Sequence, residues 1–303
     1  MDIGFLTACL PKYSFDKVIE FAQEAGFEAL EVACWPRKNE KDFASSTIDV
    51  VKLDKAEAGR IKNLCNERNV EISCLTYCAN MLDSDKNLRD EKIKHLYKVI
   101  EAASLLNVEI VSCFIGRDKN RKLKENLPVF EDIFKPIVKF ADKKRVKIAV
   151  ENCPMPGWQF EGLIGQIGFA PFMWDEIFNR VPDANFGLNF DPSHLHWLGI
   201  DYIKAAKDYK DKIFHVHAKD TEIISENIQK TGIIMPHSGW WRYRMPGLGE
   251  IDWSCFISTL QEYSYDHVLS IEHEDPVWSG SEEKIKHGLK LGLKYLRQFI
   301  LQS

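Results

Sequence analysis

Five residues of metal-binding or proton-moving type stand at the ends of short apolar runs. Glu151 closes Ile148-Ala149-Val150 in KIAVEN, and Asp191 ends the run of NFDPSH just before Pro192, Ser193 and His194. His215 and His217 alternate in IFHVHAKD, and Glu272 follows Leu269 and Ile271 in LSIEHED. A carboxylate at the end of a buried strand needs a partner, because an unpaired buried charge is costly or is neutralised by a pKa shift. An ion pair to a loop Arg or Lys would serve Glu151 or Glu272 alone, and Asp before Pro and Ser is also a turn and helix-cap device. Two imidazoles on one face of a strand are rarely needed for packing, and His is the commonest metal ligand, so one reads as a ligand and the other as a core or supporting group. Taken together, three carboxylates and one imidazole form a hard, oxygen-rich set suited to Mn²⁺, Mg²⁺ or Co²⁺, with the imidazole favouring Mn²⁺.

The elements that must bring these residues together alternate in period. Strand candidates are Ile3–Thr7, Ala29–Ala33, Glu71–Tyr77, Ile110–Ile115, Lys147–Glu151, Phe186–Asp191, Ile213–His217 and His267–Glu272. Between them lie segments of helical period at Ser14–Ala25, Asp54–Arg68, Lys86–Leu106, Pro128–Lys144, Pro171–Arg180 and Glu282–Ile300. In the third, Ile93, Leu96, Tyr97, Ile100 and Ala103 make one apolar stripe. Strands alternating with helices predict an α/β fold, and eight such units predict a (β/α)₈ TIM barrel, whose catalytic groups come from the C-terminal ends of its strands. No repeat, low-complexity tract or linker divides the chain, so residues 1–303 are expected to form a single domain. Pro192–Tyr209 carries Pro and Gly, and its helical character is less plain. The segment at about 221–249 reads as a long loop over the active mouth, because loops of that length in compact domains are usually functional.

Composition narrows the partners. The 303 residues carry 45% hydrophobic and 28% charged side chains and a net charge of -5, an ordinary globular balance without the basic footprint of a nucleic-acid binder. Apolar runs fall short of a membrane span, and the N-terminus lacks a charged segment ahead of an apolar one, which predicts a cytoplasmic protein with no membrane partner. Eight scattered cysteines with no CxxC pair read as reduced thiols packed as small hydrophobes. A homo-oligomer is compatible with this composition.

The motifs VEN, FDPSH, HVHAKD, PGLGEIDW and SIEHED together resemble the xylose isomerase-like TIM barrel superfamily of sugar phosphate isomerases and epimerases, D-tagatose 3-epimerase-like members in particular. The resemblance spans nearly the whole chain. It implies that Glu151, Asp191, His217 (the second His of the HxH) and Glu272 hold the metal, that Glu151 and Glu272 are also the catalytic acid and base, and that His194 binds a substrate oxygen. The implied chemistry is sound: chelation of a ketone oxygen and a neighbouring hydroxyl stabilises the enediolate formed when the α-proton leaves, and two glutamates on opposite faces can invert the carbon. Endonuclease IV shares this barrel but adds histidines at the third and fourth strand ends and a DxH motif. Here those strands end LTYCAN and SCFIG and the loop reads WWRYRMPGLG, so a nuclease is disfavoured.

The substrate expected is therefore a small carbohydrate, a ketose or keto-sugar or glycoside derivative. No P-loop accompanies PGLGE, so a phosphate on the substrate is not implied. Trp35, Tyr77, Phe114, Trp158, Trp197, Trp240, Trp241 and Trp278 lie near strand ends or in loops, and about half are expected to line the pocket, Trp35 and Trp158 among them. Arg242 and Arg244 are candidates for binding substrate oxygens, against the plainer reading of a solvated charge pair. The alternative activity is a lyase or dehydratase that begins with the same proton removal and expels a β-leaving group. Some keto-glycoside-cleaving relatives carry a His after the first Glu; Asn152 stands there, which leans toward an epimerase. A non-catalytic sugar-binding barrel would have no need of both glutamates.

Overall fold

The computed structural model describes residues 1–36, 46–155, 164–234 and 239–300. In chain order the first half contains β1 (Asp2–Leu6), α1 (Phe15–Ala25), β2 (Ala29–Ala33), α2 (Lys55–Arg68), β3 (Glu71–Tyr77), α3 (Lys86–Leu106), β4 (Ile110–Cys113), α4 (Leu127–Lys143) and β5 (Lys147–Glu151). Then come α5 (Pro171–Arg180), β6 (Phe186–Phe190), α6 (Pro192–Trp197), α7 (Tyr202–Asp208), β7 (Ile213–Ala218), β8 (Asp220–Ile223), α8 (Ser225–Thr231), β9 (Trp241–Arg244), α9 (Trp253–Glu262), β10 (Val268–Ile271) and α10 (Glu282–Arg297). Strands β1 to β7 and β10 pair in parallel and close into an eight-stranded barrel in the order β1-β10-β7-β6-β5-β4-β3-β2. All eight expected strands are present, and the (β/α)₈ barrel is the observed fold.

Local chemistry sets the helix boundaries. Side chains of Ser14, Asp54, Asp85 and Ser281 accept backbone N–H groups at the starts of α1, α2, α3 and α10, satisfying donors that a helix leaves open. Gly26, at φ 86°, ends α1 in the left-handed conformation. On α4, Leu127, Phe130, Phe134, Ile137, Val138 and Ala141 form a buried stripe, and Phe130 and Phe134 meet Phe186 of β6 with ring centroids 6.0 Å apart. Each such phenylalanine contributes roughly 1.5–3 kcal/mol on burial. Among the described residues no helix is long and apolar enough to cross a membrane.

Two stretches differ from expectation. Pro192–Tyr209 forms two short helices, α6 and α7, parted at Gly199, whose φ of 72° no right-handed helix tolerates. The segment expected as a loop is built instead as an antiparallel hairpin of β8 and β9 with α8 between them. Its sequence hides this because the facing pairs are largely polar, Thr221 with Tyr243 and Glu222 with Arg242, so no apolar alternation marks the strands. The tie to the barrel is Asp220, fully buried, whose carboxylate accepts hydrogen bonds from the N–H groups of Thr221 (2.8 Å), Gly247 (2.9 Å) and Ile251 (3.0 Å) and from the Trp253 indole (2.9 Å). PGLGEIDW is thus wrapped around one carboxylate.

Candidate metal centre

Parallel register places the strand ends at one mouth of the barrel. Glu151 is the last residue of β5 and pairs with Asn189 of β6, Asp191 follows β6, His217 pairs with Ser270 of β10, and Glu272 follows β10. One ligand-type atom from each of Glu151, Asp191, His217 and Glu272 lies within 4.8 Å of the other three. The four residues singled out in the sequence are therefore brought to a single point. Asp191 reconciles both readings of its motif: its Oδ1 accepts the Ser193 N–H at 2.8 Å, capping α6, while Oδ2 is buried without a hydrogen bond.

The two histidines of HVH are separated by their partners. His215 has Nε2 3.2 Å from Ser73 Oγ and Nδ1 3.2 Å from Asn189 Oδ1, and burial pushes its pKa down to about 3. Both of its nitrogens are engaged. His217 has Nε2 2.9 Å from Glu31 Oε2, while its Nδ1 is buried without a hydrogen bond, 3.1 Å from Glu272 Oε2 and 3.5 Å from Glu151 Oε1. Burial opposes protonation of His217, but Glu31, Glu272 and Glu151 outweigh it and raise the pKa well above its ordinary value.

Glu31, which the sequence reading missed, is a fully buried carboxylate inside the barrel. It accepts hydrogen bonds from Thr76 and, at 2.6 Å, from Ser270. Burial would raise its pKa, yet His217 and His215 bring it down to about 2. A lone Glu in the strand ALEVA was the available signal. Lys219 was missed too, because a lysine in HAKD reads as solvated. Its side chain is 1% exposed, and Nζ lies 2.6 Å from Glu272, 3.0 Å from Glu274, 3.2 Å from Asp191 and 4.3 Å from the Tyr243 ring centroid. Burial pushes the Glu272 carboxyl up, but Lys219 and His217 hold it well below the usual carboxylate range. Glu151 is also held low: burial and Glu272 raise it, and His217 and His194 bring it down further.

His194 belongs to the same cluster. Its Nε2 is 3.2 Å from Glu151 Oε1, and its Nδ1 is 2.7 Å from the Tyr243 hydroxyl. Trp35 follows β2, and its indole donates to the Cys78 carbonyl at 3.2 Å. Arg242 is paired with Glu222 through Nε at 2.8 Å, and Arg244 with Glu222 and, at 3.0 Å, with Asp275. Both guanidinium groups thus brace the hairpin. Trp158 lies outside the described residues.

The donor set can be tested against a metal on the geometry itself. His217 Nδ1 and Asp191 Oδ2 are buried polar atoms with no hydrogen bond, the second within 3.2 Å of Lys219 Nζ and His194 Nε2, and both lie where two further carboxylates converge. Glu31 behind His217 is the carboxylate that metal-ligating histidines usually carry on their second nitrogen. These residues fit a divalent cation.

Fold and mouth together define a (β/α)₈ barrel with a carboxylate-imidazole cluster at its C-terminal face. The chain belongs to the xylose isomerase-like TIM barrel family, whose model matches residues 19–298. It is 26% identical to the uncharacterized protein YfiH of Bacillus subtilis (strain 168) over 100% of both chains. It is 28% identical to an inosose isomerase of Bacillus licheniformis over 61% of this chain and 63% of that one, and 23% identical to an inosose dehydratase of Glaesserella parasuis serovar 5 over 78% and 80%. Among solved structures, IolI with a binding zinc atom superposes with a TM-score of 0.73 at 20% identity, covering 100% of both chains. D-psicose 3-epimerase in the presence of D-fructose superposes with a TM-score of 0.72 at 13% identity, covering 99% of both.

Proposed function

We propose that this protein is a metal-dependent isomerase or epimerase of a ketose or keto-sugar derivative, working by proton removal from the carbon beside a carbonyl. The observation that carries the reading is the convergence of Glu151, Asp191, His217 and Glu272 within 4.8 Å, with two glutamates available for proton transfer. Relatives named inosose isomerase and a structural neighbour named D-psicose 3-epimerase support the same class. Zinc in IolI supports a divalent ion, and three carboxylates with one imidazole lead us to Mn²⁺, with Mg²⁺ or Co²⁺ as substitutes. Such an ion would polarise the substrate carbonyl and stabilise the negative charge that grows on its oxygen.

The chain's own residues take the remaining roles. One of Glu151 and Glu272, as the carboxylate, takes the proton, and the other, entering the step as the carboxylic acid, returns one to the opposite face; general acid–base help of this kind gives ~10²–10⁴-fold. His194, poised by the Tyr243 hydroxyl, binds a substrate oxygen, and Trp35 offers an aromatic wall.

A lyase outcome is the second reading, and Lys219 is the observation that favours it. Its buried ammonium, 2.6 Å from Glu272 and with its proton held tightly by the carboxylates around it, can hydrogen-bond a leaving hydroxyl after the same first step and stabilise the charge that grows on it, as a dehydratase requires. Asn152 offers no such proton: its amide exchanges two hydrogen bonds with the Asp191 backbone, at 2.9 and 2.7 Å. The test is Mn²⁺-dependent deuterium uptake from solvent, screened over ketoses, inososes and keto-glycosides by mass spectrometry. Glu151→Gln and Glu272→Gln should each abolish uptake, and retention of wild-type exchange in either would refute the mechanism. A product heavier only by the deuterium it has taken up identifies the isomerase; one that has also lost water identifies the lyase.

A further inference from the structure

At the end of the barrel opposite the metal centre, a cleft of about 360 Å³ lies among the starts of β4, β5 and β7 and the segment that joins α9 to β10. Catalytic groups of this architecture come from the other face, so the cleft has no part in the chemistry proposed above. Its size is nevertheless that of a ligand site: a cavity of about 150 Å³ takes up benzene, and small-molecule pockets begin at about 300 Å³.

The lining is part apolar and part charged. Ile110, Phe214 and Leu260 supply the apolar part, and Phe214 and Tyr263 are only half-buried. A Cβ at Gly187 would come within 2.6 Å of the Phe214 ring, so glycine there is what lets the ring lie in the cleft wall. The exposed ammonium groups of Lys147 and Lys210 stand 5.7 Å from the Phe214 centroid and 4.7 Å from the Tyr263 centroid. The acidic groups of the lining are already paired, Glu109 with Lys147 at 3.6 Å and Asp266 with the Met1 amino group at 2.6 Å. Lys210 has no ion-pair partner among the described residues. The cleft therefore keeps one uncompensated, solvent-accessible positive charge beside apolar surface, a combination that favours an anion with an apolar body over a neutral ring or a bare anion.

We propose that this cleft binds a small cyclic carboxylate, its ring against Phe214 and Leu260 and its charge at Lys210. Ligand-observed NMR titration of the wild-type protein would compare benzoate with benzyl alcohol, which keeps the ring without the charge, and with acetate, which keeps the charge without the ring. Benzoate should bind about tenfold more tightly than either. Lys210→Met keeps the aliphatic stem and should bring benzoate to the level of benzyl alcohol. Lys207→Met removes an exposed charge of α7 outside the cleft and should leave benzoate binding as in wild type. Melting temperatures verify that both variants fold. Benzoate that binds no better than benzyl alcohol, or that binds the folded Lys210→Met variant as it binds wild type, would overturn the site. Equal losses in the two lysine variants would overturn it as well, since they mark a general attraction of anions to a charged surface.

Discussion

Glu31 and Lys219 show how buried side chains set the orientation and charge of the proposed metal ligands. Glu31 fixes the His217 ring through Nε2 at 2.9 Å and so presents Nδ1 to the mouth. Loss of such a carboxylate typically costs 10–100-fold in metal affinity, and Glu31→Gln should weaken Mn²⁺ binding by about that factor in a calorimetric titration. Unchanged affinity would remove Glu31 from the site's design. Lys219 is ion-paired with Asp191, Glu272 and Glu274 at once. Lys219→Met leaves buried carboxylates without their cation and should cost about 3–5 kcal/mol in the metal-free protein. Added Mn²⁺ should then raise the melting temperature more in the variant than in wild type; equal shifts would count against a shared cation position. The strand-end candidates were legible in the sequence because ligand-type residues closing four apolar runs are together hard to explain away, although an ion pair or a helix cap would serve each one alone. Glu31 and Lys219 were not, since their partners come from strands far apart in sequence and only barrel closure brings them together.

At the scale of elements, the βα alternation was readable from period alone, and boundaries drifted by a few residues: β4 ends at Cys113 rather than Ile115, and α10 at Arg297 rather than Ile300. The β8–β9 hairpin was not readable, because ion pairs and Asp220 hold it rather than an apolar face. That makes Asp220 and Gly249 its critical positions. A Cβ at Gly249 would lie 2.3 Å from Asp220 Oδ1 and 2.5 Å from the Thr221 carbonyl, so Gly249→Ala should destabilise the protein by about 1–3 kcal/mol. Asp220→Ala strands four buried donors, each worth about 1–3 kcal/mol, and should cost more than Gly249→Ala. Urea denaturation reads both, and an Asp220→Ala protein as stable as wild type would refute the role given to this carboxylate.

For the whole molecule, the barrel interior departs from the apolar layers usual in this architecture. Glu31, Asn189, His215, His217, Ser112 and Ser270 are buried there, linked by hydrogen bonds such as Asn189 to Ser112 at 2.9 Å. Such networks are rigid when fully paired and costly when they are not, and two atoms without a hydrogen bond, His217 Nδ1 and Asp191 Oδ2, lie together with Glu151 and Glu272 at the candidate metal point. Metal binding should therefore stabilise the entire fold by mass action, about 2.7 kcal/mol at a hundredfold excess over Kd. We propose Glu151, Asp191, His217 and Glu272 as the residues that hold that ion. Calorimetric titration of chelator-treated protein with Mn²⁺ tests it most directly: wild type should take up one ion per chain and His217→Ala none with comparable affinity. Failure of the wild type to bind, or a His217→Ala variant that binds like wild type, would contradict it.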